Sequence, residues 1–313
     1  MTYTIEKVTT LIGARRYGDS EGNIGFLLTD SRSLCFPEET LFFALQSERN
    51  DGHNYIPELY RRGVRNFVVS RVPKGYASDY PGANFLKVVS TLEALQRLAE
   101  RHRDEFDIPI VGITGSNGKT MVKEWLYQLL SPGQRVTRSP RSYNSQIGVP
   151  LSVWLLNEQT QLGIFEAGIS QPGEMLALRD IMQPTIAVLT NLGAAHQENF
   201  PSMEAKCKEK LTLFHDAEVM VYRKDNELVS RMVDEGRYAG EKLCWSTQER
   251  EAPFYVEAIE KEGDTTHVSY IYKGVAGEYT LPFIDDASVA NSITCAVVAR
   301  RLGLSAEAWS PWP

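Results

Sequence analysis

The sequence predicts an α/β protein in two parts: a small N-terminal α/β domain at 1–107, then, at 108–303, a phosphate-loop domain with a mainly parallel sheet and a small antiparallel meander. Three observations predict this. Apolar runs of strand length alternate with amphipathic stretches of helical period along most of the chain, the pattern of strand–helix–strand crossovers. A glycine-rich turn at 114–118 links one such strand to one such helix. Residues 253–283 depart from the alternation, with three consecutive strand-like runs broken by Gly-containing turns.

In the first part, "LFFAL" (41–45), "NFVVS" (66–70) and "NFLKVV" (84–89) read as strands. "GHNYIPELYRRG" (52–63) reads as a helix ending at Gly63. "TLEALQRLAERHRDEF" (91–106) is a further helix, with Leu92, Leu95, Leu98 and Ala99 on one side. Asp107 and Pro109 then punctuate the chain and mark the domain boundary.

Ile108 and Ile110 lead into a short buried strand at 111–113, followed by "TGSNGKT" and the segment "MVKEWLYQLL". The apolar positions Val122, Trp125, Leu126 and Leu129 give that segment one buried face. Strand, glycine turn and helix start together aim backbone N–H groups and the positive helix end at one point, which suits a phosphate. Gly115 and Gly118 allow close backbone approach, Lys119 can reach phosphate oxygens, and Thr120 can offer a hydroxyl to Mg2+. The usual G-x-x-x-x-G-K-[ST] spacing fails by one residue, because the preceding glycine is Gly112.

Further strands follow at "LGIFEAG" (162–168), "TIAVLTN" (185–191) and "AEVMVY" (217–222), separated by helical stretches. "FYVEAIE", "THVSYIYK" and "GEYTLPF" form the meander, and "DDASVANSITCAVVARRLG" closes the domain as a helix. The tail at 304–313 ends in a Pro-Trp-Pro that no compact element requires.

The 313 residues are 42% hydrophobic and 23% charged, as in ordinary globular proteins. The net charge of −7 gives no electrostatic support to a nucleic-acid or anionic-membrane partner. No apolar run approaches the roughly 20 residues of a membrane-spanning helix, and no signal-peptide pattern opens the chain. Cys35, Cys207, Cys244 and Cys295 are widely spaced, without a C-x-x-C pair, which fits a reducing cytoplasm.

Chemistry at a phosphate loop draws on groups at the ends of neighbouring parallel strands. Glu166 is such a group, with a polar strand terminus as its plain alternative; Asn191 and His196 follow another strand, and a lone histidine there is more often a surface or capping residue. "SMEAKCKEKLTLF" (202–214) reads as a helix in which Lys210 falls on the stripe of Met203 and Phe214 and Lys208 falls away from it. Lys210 is then either a snorkelling lysine or a desolvated amine of lowered pKa, able to take up CO2 as a carbamate and bind a metal.

These motifs together resemble the Mur ligases. "TGSNGKT", "FEAGISQPGEM" (165–175), "TNLGAAHQENF" (190–200) and "KEKLTLF" (208–214) resemble that family's central ATPase domain. "LTDSRSLCFPEETLFFAL" (28–45) and "NDGHNYI" (50–56) resemble its uridine-diphosphate-binding N-terminal domain. "YNSQIGVPLSVW" (143–154) and the Gly-Glu of "PGEM" resemble the type that adds D-alanyl-D-alanine, MurF, and above all the N-terminal part of the Bacteroidetes proteins in which that ligase is fused to an alanine racemase. The likeness covers about residues 1–303.

The resemblance implies an ATP-dependent amide ligase of peptidoglycan precursor synthesis, joining D-alanyl-D-alanine to UDP-MurNAc-tripeptide through an acyl phosphate. It implies ATP binding by Gly115, Ser116, Asn117, Gly118, Lys119, Thr120 and Asn291. Asp30, Ser31, Arg32 and Asn144 would contact the UDP-substrate. Thr120 and Glu166 would bind one Mg2+; Glu166, His196 and carbamylated Lys210 a second; Lys119, Glu166, His196 and Lys210 would form the catalytic set. A fused alanine racemase downstream is a further expectation.

Three departures stand out. Ser142 and Ser145 replace two asparagines frequent in the family, and Ala287 stands where a histidine is frequent. The family's third domain is absent from this chain, which is expected to be a fragment impaired in turnover. Competing readings are the ligase that adds the third amino acid, an unrelated P-loop kinase, and a non-catalytic module binding UDP-substrate and ATP. "IGVP" and "PGEM" disfavour the first, and uridine-nucleotide binding would separate the second.

Overall fold

The computed structural model describes residues 1–305 and Trp312; the rest of the tail expected at 304–313 lies outside the described residues. The chain divides into two compact units, Met1–Phe106 and Asp107–Pro313.

The first unit contains β1 (Tyr3–Thr4), α1 (Ile5–Ile12), β2 (Arg15–Tyr17), β3 (Asn23–Ile24), β4 (Phe26–Leu28), β5 (Thr40–Phe43), α2 (Ile56–Arg61), β6 (Asn66–Val69), α3 (Tyr76–Asp79), β7 (Asn84–Lys87) and α4 (Thr91–Arg103). Its sheet runs β2-β7-β6-β5-β4. All pairs are parallel except β2 with β7. Phe42, Phe67 and Phe85 are buried together in the core, Phe42 edge-on to Phe67 and Phe67 stacked on Phe85 with ring centres 5.3 Å apart. α4 starts where the Ser90 hydroxyl accepts from the Glu93 N–H, an N-cap that satisfies one orphan donor. α1 goes beyond the elements expected. The helix expected across 52–63 is corrected at its start: Gly52–Tyr55 is a 3-10 turn, because the Asp51 carboxylate accepts from the His53 N–H, and α geometry begins only at Ile56 with Pro57 in the first turn.

The second unit contains β8 (Ile110–Thr114), α5 (Lys119–Leu130), β9 (Val136–Arg138), α6 (Gly148–Val153), β10 (Leu162–Glu166), α7 (Glu174–Met182), β11 (Ile186–Leu189), α8 (Met203–Leu211), β12 (Val219–Arg223), α9 (Glu227–Glu235), β13 (Glu241–Ser246), β14 (Phe254–Glu262), β15 (Thr265–Tyr272), β16 (Val275–Leu281) and α10 (Asp286–Arg301). The meander is not a separate sheet. β14 pairs parallel with β13, and β15 and β16 extend the same nine strands antiparallel, in the order β16-β15-β14-β13-β12-β11-β8-β10-β9.

α5 and α10 pack against this sheet through Val122, Leu126, Ile293 and Val297, all at most 1% exposed. Full burial of one such side chain contributes about 1.5–3 kcal/mol. The Pro-Trp-Pro expectation is corrected: Trp312 is buried, stacked on Tyr279 at 5.2 Å and edge-on to Trp125 at 5.5 Å. Among the described residues no helix is long and apolar enough to cross a membrane.

After β8 the chain goes to the edge strand β9, returns to β10 beside β8, and then passes to β11 on the other side of β8. The order therefore reverses at β8, and the carboxyl ends of β8, β10 and β11 meet in the crevice where open α/β sheets bind ligands.

Candidate functional site

Residues 115–118 leave the end of β8 and turn into α5. Gly115 has φ +149°, and a Cβ there would sit 2.0 Å from Thr190 Oγ1; Gly118 has φ +80°, and its Cβ would sit 2.4 Å from Asn291 Oδ1. Only glycine fits either position, because backbone conformation and space both exclude a side chain. The segment after β11 stitches the loop in place. The Ser116 N–H donates to the Asn191 carbonyl and the Asn117 N–H to Asn191 Oδ1, both at 3.0 Å, while Thr190 Oγ1 donates to the Asn117 carbonyl at 2.5 Å. The amides of Ser116 and Asn117 are thus engaged within the protein, and a phosphate would meet those of the first turn of α5.

Lys119 Nζ folds back to the Gly115 carbonyl at 2.9 Å. Burial pushes its pKa below the ordinary lysine value, with the Glu166 carboxylate pulling the other way. Lys210 Nζ donates to the same carbonyl at 3.2 Å. Lys210 is 3% exposed, and burial, then Lys119 and Lys206, push it down to about 7. Lys208 is exposed, as the helical wheel expects.

Glu166, at the end of β10, is fully buried. Its Oε2 accepts from Thr120 Oγ1 at 3.1 Å and lies 3.4 Å from Asn144 Nδ2, and its Oε1 pairs with Lys123 Nζ at 3.0 Å. Two oxygens bound side by side on an octahedral Mg2+ at about 2.1 Å would sit about 3 Å apart, so Thr120 and Glu166 fit as neighbouring ligands of one ion. Asn144 therefore comes to the phosphate-loop carboxylate. Asp30, Ser31 and Arg32 lie in the first unit, where β4 ends in a 3-10 turn capped by Asp30. Arg32 is ion-paired to Asp30 at 2.7 Å there, and Ser31 is buried.

His196 is exposed, at φ +59°, opening the turn Gln197–Asn199. Among the described residues neither a hydrogen bond nor an ion pair joins it to Glu166 or Lys210, and no three His, Cys, Asp or Glu side chains gather as a metal cage. Its loop is held instead by Lys206, 1% exposed, whose Nζ donates to the carbonyls of Gly193 and Ala195 at 2.5 Å each.

Asn291 is buried on α10 and lines a cavity of about 360 Å3 with Thr190, Asn191, Arg223 and Trp245. The Arg223 guanidinium lies 4.9 Å from the Trp245 ring centre and is held by Asp225, itself fixed by Ser246 and Thr247. Sequence reasoning missed Arg223, Trp245, Lys206 and Lys123. A findable signal existed for Lys123, which lies three and four positions after Thr120 and Lys119 and so shares their helix face.

The arrangement can cradle a polyphosphate, hold one hard divalent cation and seat a flat ring beside them. Comparison with known proteins points the same way. The chain is 27% identical to the UDP-N-acetylmuramoyl-tripeptide--D-alanyl-D-alanine ligase of Bacillus subtilis (strain 168), over 89% of this chain and 59% of that protein. It is 33% identical to the protein of that name from Synechocystis sp. (strain ATCC 27184 / PCC 6803 / Kazusa), over 90% of this chain and 59% of that one. It thus spans about 60% of the length of the curated relatives it matches. The crystal structure of MurF ligase from Thermotoga maritima in complex with ADP superposes with a TM-score of 0.79 at 25% identity, covering 92% of this chain and 65% of that one. The Mur ligase middle domain family matches residues 113–299, more than half of the chain, and with the phosphate loop, Glu166 and α8 all inside that match, the chain belongs to the Mur ligases.

Proposed function

We propose that this chain carries the nucleotide-binding and UDP-substrate-binding parts of an ATP-dependent amide ligase of peptidoglycan precursor synthesis, acting in the cytoplasm. The reaction joins D-alanyl-D-alanine to UDP-MurNAc-tripeptide. The tripeptide carboxylate takes the γ-phosphoryl group of ATP, and the dipeptide amine then attacks the acyl phosphate, releasing inorganic phosphate and forming the amide. The single observation that carries this reading is Thr120 Oγ1 and Glu166 Oε2 3.1 Å apart beneath a Gly115–Lys119 phosphate loop, in a chain whose relatives bear that ligase's name.

In this reading Lys119 and the first-turn amides of α5 hold the β- and γ-phosphates. Asn291 contacts the adenine at the 360 Å3 cavity. Thr120 and Glu166 hold Mg2+, which would supply charge neutralisation at the transferring phosphoryl group. Lys210, as its carbamate, and His196 complete a second cation site with Glu166. Asp30, Ser31, Arg32 and Asn144 serve the uridine-linked substrate. A racemase encoded downstream belongs to the same proposal, and the gene sequence beyond codon 313 tests it.

The test of function is phosphate release from ATP with and without UDP-MurNAc-tripeptide and D-alanyl-D-alanine, by this chain and by the product of the natural gene. Release that needs both substrates, with amide product by mass spectrometry, is the expected result for the natural gene product. Hydrolysis indifferent to UDP-MurNAc-tripeptide would overturn the assignment.

A further inference from the structure

Lys123 is a fully buried lysine that the reading above leaves unused. It projects from α5 on the face of Lys119 and Thr120, and its ammonium contacts three separate segments. Nζ pairs with Glu166 Oε1 at 3.0 Å at the end of β10, and with Glu124 Oε1 at 3.0 Å on its own helix. It also donates to the carbonyls of Ser139, at 2.9 Å, and Arg141, both just after β9. The segment those carbonyls belong to sends Ser142 Oγ to within 3.2 Å of Thr120 Oγ1 and Asn144 Nδ2 to within 3.4 Å of Glu166 Oε2. Arg141, at φ +49°, bends the chain just before Ser142.

A lysine is expensive to bury, and the cost is offset only when its charge and donors are matched. Here, apart from Glu124 on its own helix, its partners belong to the candidate cation site or to the loop that borders it. With Oε1 occupied by Lys123, the carboxylate of Glu166 has one oxygen, Oε2, turned to Thr120. We infer that Lys123 is a positioning residue: it fixes Glu166 so that Oε2 alone faces the metal beside Thr120, and it ties the 139–144 loop to the same point. This rests on the Mg2+–nucleotide reading of the site. It assigns Lys123 no contact with nucleotide or metal.

Charge and position make opposite predictions, which gives the test its sign. If Lys123 acted only as a nearby positive charge, removing it would strengthen Mg2+ binding. If it positions Glu166, removing it weakens Mg2+ binding, because groups that orient a metal ligand typically change affinity about 10- to 100-fold when lost.

The experiment is calorimetric titration of ADP into the full 313-residue chain across a series of Mg2+ concentrations, for wild type, K123M, E166Q and K123M/E166Q. The expected result is an Mg2+ midpoint raised about tenfold or more in K123M, with metal-free ADP affinity within about twofold of wild type. In the E166Q background the same change is expected to move the midpoint by less than about twofold, since the two residues act as one unit. A lowered or unchanged midpoint in K123M overturns the inference, as does an equal shift in both backgrounds or a parallel loss of metal-free ADP affinity. If K123M does not fold, K123Q is read by the same criteria. A wild-type chain whose ADP binding ignores Mg2+ overturns the reading of the site itself, and the role of Lys123 with it.

Discussion

Replacing Lys210 by alanine is expected to abolish CO2 uptake by this chain, whereas replacing Lys208, two positions away, is expected to leave it intact. Only a neutral amine attacks CO2, giving a carbamate and a released proton. Lys210 is held down to about 7 by burial and by the ammonium groups of Lys119 and Lys206. At pH 8 about 90% of Lys210 is therefore neutral, against about 0.4% of a lysine at the ordinary pKa of about 10.4, roughly a 200-fold advantage. Once formed, the carbamate replaces repulsion from two cations by attraction, so it is retained. The assay is the carbamate resonance in the carbon spectrum of protein equilibrated with 13C-bicarbonate at pH 8. Signal in wild type and Lys208→Ala but not in Lys210→Ala is expected; equal signals from the two variants would refute the reasoning.

The same pKa makes a stability prediction in CO2-free buffer. The native-state value lies below the unfolded one, so above about pH 10.4 both states are neutral and no penalty exists. The penalty grows as pH falls through the window from about 10.4 to 7 and is complete below it. At about 1.4 kcal/mol per pH unit over about 3.4 units it reaches the order of 5 kcal/mol. Lys210→Met is therefore expected to raise Tm at pH 7, with a gain that shrinks toward pH 10.

Three other outcomes are expected. Lys119→Ala should weaken ADP–Mg2+ binding by roughly 10- to 150-fold, the range for a lost charged hydrogen-bond donor of about 1.5–3 kcal/mol, while the circular dichroism spectrum stays unchanged. Gly118→Ala should lower stability by about 1–3 kcal/mol and remove nucleotide binding, because alanine must adopt φ +80° with its Cβ 2.4 Å from Asn291 Oδ1; chemical denaturation and ADP titration check both. Arg32→Ala should weaken binding of a uridine diphosphate and leave ADP affinity within about twofold, since Arg32 lies in the first unit; retention of uridine binding with loss of ADP binding would reverse the assignment.

The phosphate loop was legible because its signal is local: strand, glycines, lysine and helix lie within about twenty residues. Glu166 was legible for the same reason, as a carboxylate ending an apolar run. Lys206 was not, and of Lys123 only the helix face it shares with Lys119 and Thr120 was. Each looks like a solvated lysine in a helix of mixed composition, and each is buried because carbonyls from distant segments, Ser139 and Arg141 or Gly193 and Ala195, receive its ammonium. β13 opens with Glu241 and Lys242, so its lack of alternation hid a strand paired to β12. Trp312 was misread because its aromatic partners, Trp125 and Tyr279, stand far away in sequence.

The contact between Gly118 and Asn291 bears on how the protein is made. The two residues come from the opening turn of α5 and from α10, which close on one another across most of the second unit's length. A ribosome adding about 5–20 residues per second needs roughly 10–35 s to pass from one to the other. The first unit, whose sheet partners all lie within Met1–Phe106, has that interval to fold on its own. The phosphate loop spends it without its far wall, because α10 is still unsynthesised. A complete nucleotide site therefore exists only once the last helix of the second unit has been made, so nucleotide binding rewards the finished unit rather than its early stages.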